Sequence, residues 1–439
     1  MPKLDLAPLA QGGRVVLVNA RVPAPFLTDG LPDGASTDRD GAALVDLVLE
    51  DGRVAAIAPG GTLAGEGPVD LAGRHAWPML VDVHAHLDKG HTADRTPNPT
   101  GDFAGAIEAT RADRTAHWRR DDVRRRMEFA LACAEAHGVA AIRTHLDSHD
   151  GQGETSWAVF REVREAWAGR IALQAAALVP LDVWTTPYGR VLADIVAASG
   201  GLIGGVTRAT DGTHDDALSE VDGQLDVVFG LAAERDLAVD LHVDESSASD
   251  ALPHVARAAL RHGYEGRVTC GHCCSLANLA PERLAETLAL IREAGIRVVT
   301  LPTVNLYLQD RQAGRTPRWR GVTAVAELRA AGVPVAVAGD NCRDAFYAYG
   351  DHDMLDTFRQ AVKIAHLDHP FGEATALVGP VPAAIMGVDA GAIRVGGPAD
   401  LVVMEAWSLN QVVARPQSDR VLVKRARVST LAPPSYEAL

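Results

Sequence analysis

The stretch from Trp77 to Asp88, WPMLVDVHAHLD, decides how the chain is read. It begins as an apolar run of the kind that fills a fully buried parallel strand and ends in two histidines separated by one residue. Side chains alternate faces along a strand, so His84 and His86 share one face and both imidazoles reach a single point at its C-terminal end. Taken alone, the pair is weak evidence, and two histidines bonded to loop carbonyls are the commoner account. What favours a metal pair is the recurrence of isolated histidines and acids at the ends of other apolar runs.

From residue 76 onward the sequence alternates apolar strand, polar loop and amphipathic helix. Strands are expected over 76–86, 140–145, 171–178, 202–207, 237–242, 267–272, 297–302 and 333–339. Helices are expected over 121–137, 153–168, 217–235, 249–262, 281–294, 321–331 and 353–366. Eight βα units in succession predict an α/β chain folded as a (β/α)8 TIM barrel. A doubly wound open sheet, the competing architecture, carries a glycine-rich nucleotide loop after its first strand, and no GxGxxG or GxxxxGK[ST] follows any strand here.

Residues 1–72 read differently, as short strands with glycine turns, and Asp51-Gly52 between LVDLVLE and RVAAIA is a hairpin signal. The strand-and-turn style returns from 388 to 439, and those strands are placed on the same β unit as the amino-terminal ones. The expected domains are therefore 1–72, 73–387 and 388–439. Two long connections, 89–120 and 301–321, are expected at the C-terminal rim, where lids and substrate contacts sit.

Composition narrows the function. With 439 residues, 47% hydrophobic and 23% charged, the chain has the profile of an ordered globule, and no segment approaches the roughly 20 apolar residues of a membrane span. A formal charge of -15, with lysine only at Lys3, Lys89, Lys363 and Lys424, argues against nucleic acid and anionic membranes as partners. The amino terminus has acid and glycine where a signal peptide keeps its apolar core, so a cytoplasmic location is expected. The five cysteines make no disulfide framework; Cys270, Cys273 and Cys274 bracket His272 and read as small buried thiols under a site loop. Exposed barrel faces often pair, so a homo-oligomer is open.

Side chains at the C-terminal ends of barrel strands converge on one pocket. Taken strand by strand, these are His84 and His86, His145, His242 with Glu245 just beyond, His272, and Asp340. His84, His86, His242 and Asp340 make an N3O set suited to one Zn²⁺ or Fe²⁺, with Mn²⁺ also possible, and with room for a water whose pKa the ion lowers. Glu245 is positioned as a proton shuttle, and His272 to stabilise the attacking oxygen. Asp340 has a second task as proton acceptor. His145 either orients its neighbours or touches substrate, and Asp88 and Lys89 are supporting candidates, Lys89 also for substrate contact.

At this point the chain resembles a known group. PMLVDVHAHLDK, IRTHLD, DLHVDE, TCGHCCSLA, LPTVNLYLQDR with RWRGVTAVAELRAAGV, and AVAGDNCRDAFYAYG together look like the cytosine deaminase branch of the metal-dependent amidohydrolases. The resemblance implies a distorted barrel with a small β-sandwich built from both termini, the last part carried by IRVGGPADLVV. It also implies a mononuclear centre at His84, His86, His242 and Asp340, with Glu245 protonating the ring nitrogen, His272 helping to activate water, and ammonia leaving. The chain departs from the cytosine enzymes at Leu181, where they place a glutamine that reads the amide edge, and at Asn341, where they carry a second acid. The expected substrate is therefore a small amino-substituted nitrogen heterocycle, cytosine-like or triazine-like, rather than cytosine itself. The alternative is cleavage of a cyclic or acyclic C–N amide bond.

Overall fold

The computed structural model describes residues 9, 13–63, 68–208, 210, 220–415 and 420–439. The first helical turn expected at 217–219 and most of the segment read for a signal peptide, 1–8 and 10–12, lie outside the described residues. The chain divides into two compact units. One comprises Met1–Asp82, Cys133–Ala141 and Asp353–Pro433, and the other Val83–Ala132, Ile142–His352 and Pro434–Leu439.

In the first unit, β1 (Val15–Pro23), β2 (Ala42–Glu50) and β3 (Arg53–Pro59) run antiparallel. The β2–β3 turn falls on Asp51-Gly52, with φ of 49° and 76°, the two positive values that a tight hairpin turn demands. β4 (Val69–Asp70) pairs with β1, as does β5 (His75–Pro78). The strand expected over 76–86 is in fact two, β5 and β6 (Leu80–Ala85). Pro78 has no N–H to give a ladder, and Met79 N–H turns to the carbonyl of Asp400 at 3.0 Å. β14 (Leu401–Met404), β15 (Arg420–Lys424) and β16 (Arg427–Val428) complete an eight-stranded sheet in the order β16-β15-β14-β5-β1-β2-β3, with β4 beside β1. Strands from the amino-terminal and the carboxy-terminal parts of the chain thus share one sheet. Trp77, 1% exposed, anchors its core against Phe26 at 5.2 Å and Phe358 at 5.3 Å between ring centres.

In the second unit the parallel strands supply the frame. β6, β7 (Val139–Asp147) and β8 (Ala172–Leu178) form a three-stranded sheet. β9 (Ile203–Val206), β10 (Val239–Val243), β11 (Val268–His272), β12 (Arg297–Thr300) and β13 (Val335–Val337) form a five-stranded parallel sheet in chain order. Isolated parallel bridges join Ala176 to Leu202 and Ala85 to Asp340. β6, β10 and β11 are buried along their whole length, which fits their largely apolar sequences, interrupted by Asp82, Asp240, Thr269 and the histidines.

Between the strands lie α1 (Phe103–His117), α2 (Arg120–Ala136), α3 (Gln152–Ala166), α4 (Pro187–Ala198), α5 (Val221–Glu234), α6 (Leu252–His262) and α7 (Pro281–Glu293). After β12 come α8 (Pro302–Leu308) and α9 (Val325–Ala330), and after β13 α10 (Met354–Ile364). Each of the two connections expected to be long, 89–120 and 301–321, holds a helix. Asp102 caps α1 by accepting from Gly105 N–H at 2.8 Å, and Pro302 opens α8. Among the described residues, no helix is long and apolar enough to cross a membrane.

Candidate active site

The parallel strands of the second unit deliver their polar ends to one place. His84 lies in β6 and His86 just past it, His242 lies in β10, and His272 is the last residue of β11. Asp340 follows β13 and is tied to β6 by its N–H, which donates to the carbonyl of His84 at 2.8 Å. Asp244, His272, Cys273 and Asp340 all hold positive φ, between 49° and 69°. Left-handed backbone at non-glycine residues is costly, and its concentration here marks a site that the surrounding fold holds in shape.

The side chains meet closely. His242 Nε2 lies 3.2 Å from His84 Nε2 and 3.3 Å from His86 Nε2. Asp340 Oδ1 lies 3.1 Å from His86 Nε2 and 3.6 Å from His84 Nε2. Burial, together with the neighbouring imidazoles, holds His84 and His242 well below the ordinary histidine range; burial and then Lys89 lower His86. All three rings are neutral at physiological pH, so nitrogen lone pairs converge on a carboxylate. Donors about 2.0–2.1 Å from a tetrahedral ion lie roughly 3.3–3.4 Å apart, a value that the separations of 3.1 to 3.6 Å straddle. Asp340 Oδ2 is buried with no hydrogen-bond partner among the described residues. His84, His86, His242 and Asp340 therefore fit a divalent cation.

Two more groups face the same space. Glu245 sits just beyond β10, and burial, followed by repulsion from Asp340, raises its carboxyl well above the ordinary range. His272 is lowered by burial. Asn305, on α8, lies between them: its Nδ2 donates to His272 Nδ1 at 3.0 Å and to Glu245 Oε1 at 3.4 Å. That contact puts the His272 proton on Nε2, free of other hydrogen-bond partners among the described residues. Gln309 Nε2 donates to the Glu245 carbonyl at 3.1 Å. The segment 301–321 thus positions Glu245 and His272 from behind. Asn305 escaped the sequence reading because nothing but its neighbours distinguishes it from any polar residue on a short helix.

These groups open onto a cavity of about 470 Å³, a size suited to a small heterocycle. His86, His242, Glu245, His272, Asp340, Lys89 and Asn341 line it, with Phe103, Val179, Pro180, Arg208 and Phe346 completing much of the wall. Lys89 is paired with Asp147 at 2.7 Å and lies 5.3 Å above the Phe346 ring. Asn341 donates to Asp344 at 2.6 Å.

Three of the candidate residues, Leu181, Asp88 and His145, are not on the cavity wall. Leu181 is fully buried beside Gly205, because the chain enters a 3-10 turn there and leaves Val179 and Pro180 facing inward. Asp88 instead accepts from Asp147 N–H at 2.8 Å. His145 packs its ring 4.0 Å from that of His84 and lies 3.8 Å from Asp240, whose carboxylate pairs with Arg143 at 2.8 Å. Cys270, Cys273 and Cys274 are buried free thiols whose ionisation burial suppresses, and none lines the cavity.

The sequence profile of the amidohydrolase family matches residues 110–431. The chain belongs to the amidohydrolase family. This amidohydrolase is 48% identical over 431 residues to pterin deaminase of Rhizobium rhizogenes, covering 97% of this chain and 96% of that one. It is 25% identical over 378 residues to N-isopropylammelide isopropyl amidohydrolase of a Pseudomonas species, covering 82% and 87%. Among solved structures, 5-methylcytosine deaminase of Klebsiella pneumoniae with phosphonocytosine superposes with a TM-score of 0.80 at 25% identity, covering 95% and 98%. The amidohydrolase is a hydrolytic enzyme of C–N bonds, within the deaminase branch that its motifs resemble.

Proposed function

We propose that this amidohydrolase removes the exocyclic amino group of a pterin, a fused aminopyrimidine, with water as co-substrate and ammonia as product. The observation that carries the reading is the 48% identity to pterin deaminase along nearly the whole of both chains. The cavity agrees: about 470 Å³ accommodates a two-ring heterocycle between the apolar faces of Phe103, Phe346, Val179 and Pro180. We read the bridges at Ala85–Asp340 and Ala176–Leu202 as closing the eight parallel strands into a distorted (β/α)8 barrel, and the terminal sheet as the family's small β-sandwich.

His84, His86, His242 and Asp340 would hold the ion, Zn²⁺ or Fe²⁺, which supplies the Lewis acidity that makes water nucleophilic near neutral pH. Glu245, kept protonated by burial, delivers its proton to the ring nitrogen beside the carbon under attack. His272, with its proton on Nε2, donates a hydrogen bond to the incoming oxygen. Asp340 Oδ2 accepts the first proton that the water gives up, which the emptied Glu245 carboxylate relays to the departing amine; it then takes the hydroxyl proton as the C=O forms, and that proton returns to Glu245 and restores its carboxyl. Water thus supplies the carbonyl oxygen and both protons needed to convert C–NH₂ into C=O, ring N–H and ammonia.

The test is ammonia release by Zn- and Fe-loaded protein across pterins, cytosine, guanine and aminotriazines. Pterins should give a kcat/KM at least tenfold above the monocyclic rings. Ammonia from cytosine or a triazine with none from any pterin overturns the substrate; a new carboxylate in place of ammonia overturns deamination in favour of amide cleavage.

A further inference from the structure

His91, Cys342 and His352 form a second cluster that the deamination chemistry does not use. All three are buried, and a nitrogen of each histidine and the Cys342 sulfur lie within 4.8 Å of one another. His91 comes from the segment after β6, and Cys342 and His352 come from the loop after Asp340. The backbone stitches these segments together. His91 N–H donates to the Cys342 carbonyl at 3.2 Å, and Thr92 N–H donates to that of Arg343 at 2.8 Å. His352, at a φ of 54°, turns its backbone N–H onto the Cys342 sulfur.

His91 is what points to a ligand. Its side chain is 8% exposed, and neither ring nitrogen has a hydrogen-bond partner among the described residues. Buried polar atoms are almost always satisfied, and leaving one unmet costs stability. Burial, with His352 and Arg343 nearby, holds the ring neutral, so one nitrogen offers a lone pair. The His352 ring stands 5.4 Å away at 49°, and Phe129 closes the other side at 4.8 Å.

We propose that His91, Cys342 and His352 bind a second, structural metal ion, a borderline-soft cation of which Zn²⁺ is the reference. Two imidazoles and one thiolate are a ligand set such a cation prefers over magnesium or calcium. On binding, the Cys342 S–H bond gives way to a sulfur–metal bond and the proton leaves to solvent. The site then carries one positive charge, partly balanced by Asp351, which already acts electrostatically on His91. Ligand atoms around a tetrahedral zinc lie about 3.3–3.7 Å apart, so closing from separations of no more than 4.8 Å takes movements of at most about an ångström. The ion would clamp the loop that carries Asp340 at its start to the segment that follows His86.

The experiment uses the full chain. With zinc, metal analysis of the wild type should give two ions per chain, and X-ray absorption at the zinc edge should show a sulfur scatterer near 2.3 Å at about one half per zinc, since the first site has no sulfur. With cobalt, a thiolate-to-metal charge-transfer band should appear and vanish in Cys342→Ser, together with one equivalent of metal. One ion per chain with an all-nitrogen-and-oxygen shell in the wild type overturns the proposal without any variant. So does a band that survives Cys342→Ser, which would place the thiolate among Cys270, Cys273 and Cys274.

Discussion

Glu245 and Asp340 face the same small space, and burial, followed by repulsion from Asp340, raises the Glu245 carboxyl well above its ordinary range. Glu245→Gln preserves shape and neutrality but cannot pass a proton. It should keep its metal and lose roughly 10²–10⁴ in kcat, read by metal analysis beside ammonia release. Loss of metal with activity would make Glu245 a ligand instead. Gly271 offers a second test, because a β-carbon there would stand 2.8 Å from His84 Cε1. His84 has no slack, being fully buried with His145 packed 4.0 Å from its ring. Gly271→Ala should weaken metal affinity about 10–100-fold in competition with a chelator, the usual cost of disturbing a ligand's support. An unchanged affinity would mean that the ring moves aside freely.

Which elements were legible in the sequence follows from how each is built. The parallel strands were, because burial writes most of them as largely apolar runs, and their ends stood out through His84, His86, His242, His272 and Asp340. The break inside WPMLVDVHAHLD was not, since both halves are equally apolar and only Pro78 hints that β5 leaves for another sheet. Asn305 was hidden because its role depends on α8 bringing it across to β11 and Glu245. β5 also carries a pH dependence. Burial, then Arg21, against the opposing pull of Asp38, lowers His75 from 6.5 to about 3, and its Nδ1 accepts from Trp77 Nε1 at 3.1 Å. The unfolded chain therefore takes up a proton that the folded one refuses. Stability from this group is complete above about pH 6.5 and drains away as pH falls toward 3, by at most about 1.4 kcal/mol per pH unit. His75→Gln keeps an acceptor for the indole without the titration. Its urea midpoint should fall less steeply between pH 7 and pH 5 than that of the wild type, and parallel slopes would assign the acid sensitivity elsewhere.

Across the molecule, the parallel strands bring their ends to a centre where several buried polar atoms have no hydrogen-bond partner among the described residues. Three neutral imidazoles and a buried carboxylate meet there, His242 at 3.2 and 3.3 Å from His84 and His86 and Asp340 at 3.6 and 3.1 Å from the same two, an arrangement that favours a cation. The unfolded chain scatters those ligands, so a metal that binds only the folded form stabilises it by mass action, by about 4 kcal/mol at a thousandfold excess over Kd. In a chain of 439 residues that moves a thermal midpoint only slightly, and a urea midpoint is the better gauge. Trp118, Trp157, Trp167, Trp184 and Trp319 all belong to the unit that carries the ligands, so intrinsic fluorescence reports mainly on it. Using Cys342→Ser protein leaves only the first site in play. Chelation should lower its urea midpoint, and restored Zn²⁺ or Fe²⁺ should raise it with a dependence on free metal that yields the same Kd as direct binding. If activity returned with metal while the midpoint stayed fixed, the unfolded chain would have to bind the ion as tightly as the folded one, and the convergence of His84, His86, His242 and Asp340 would lose its standing as the reason the ion binds.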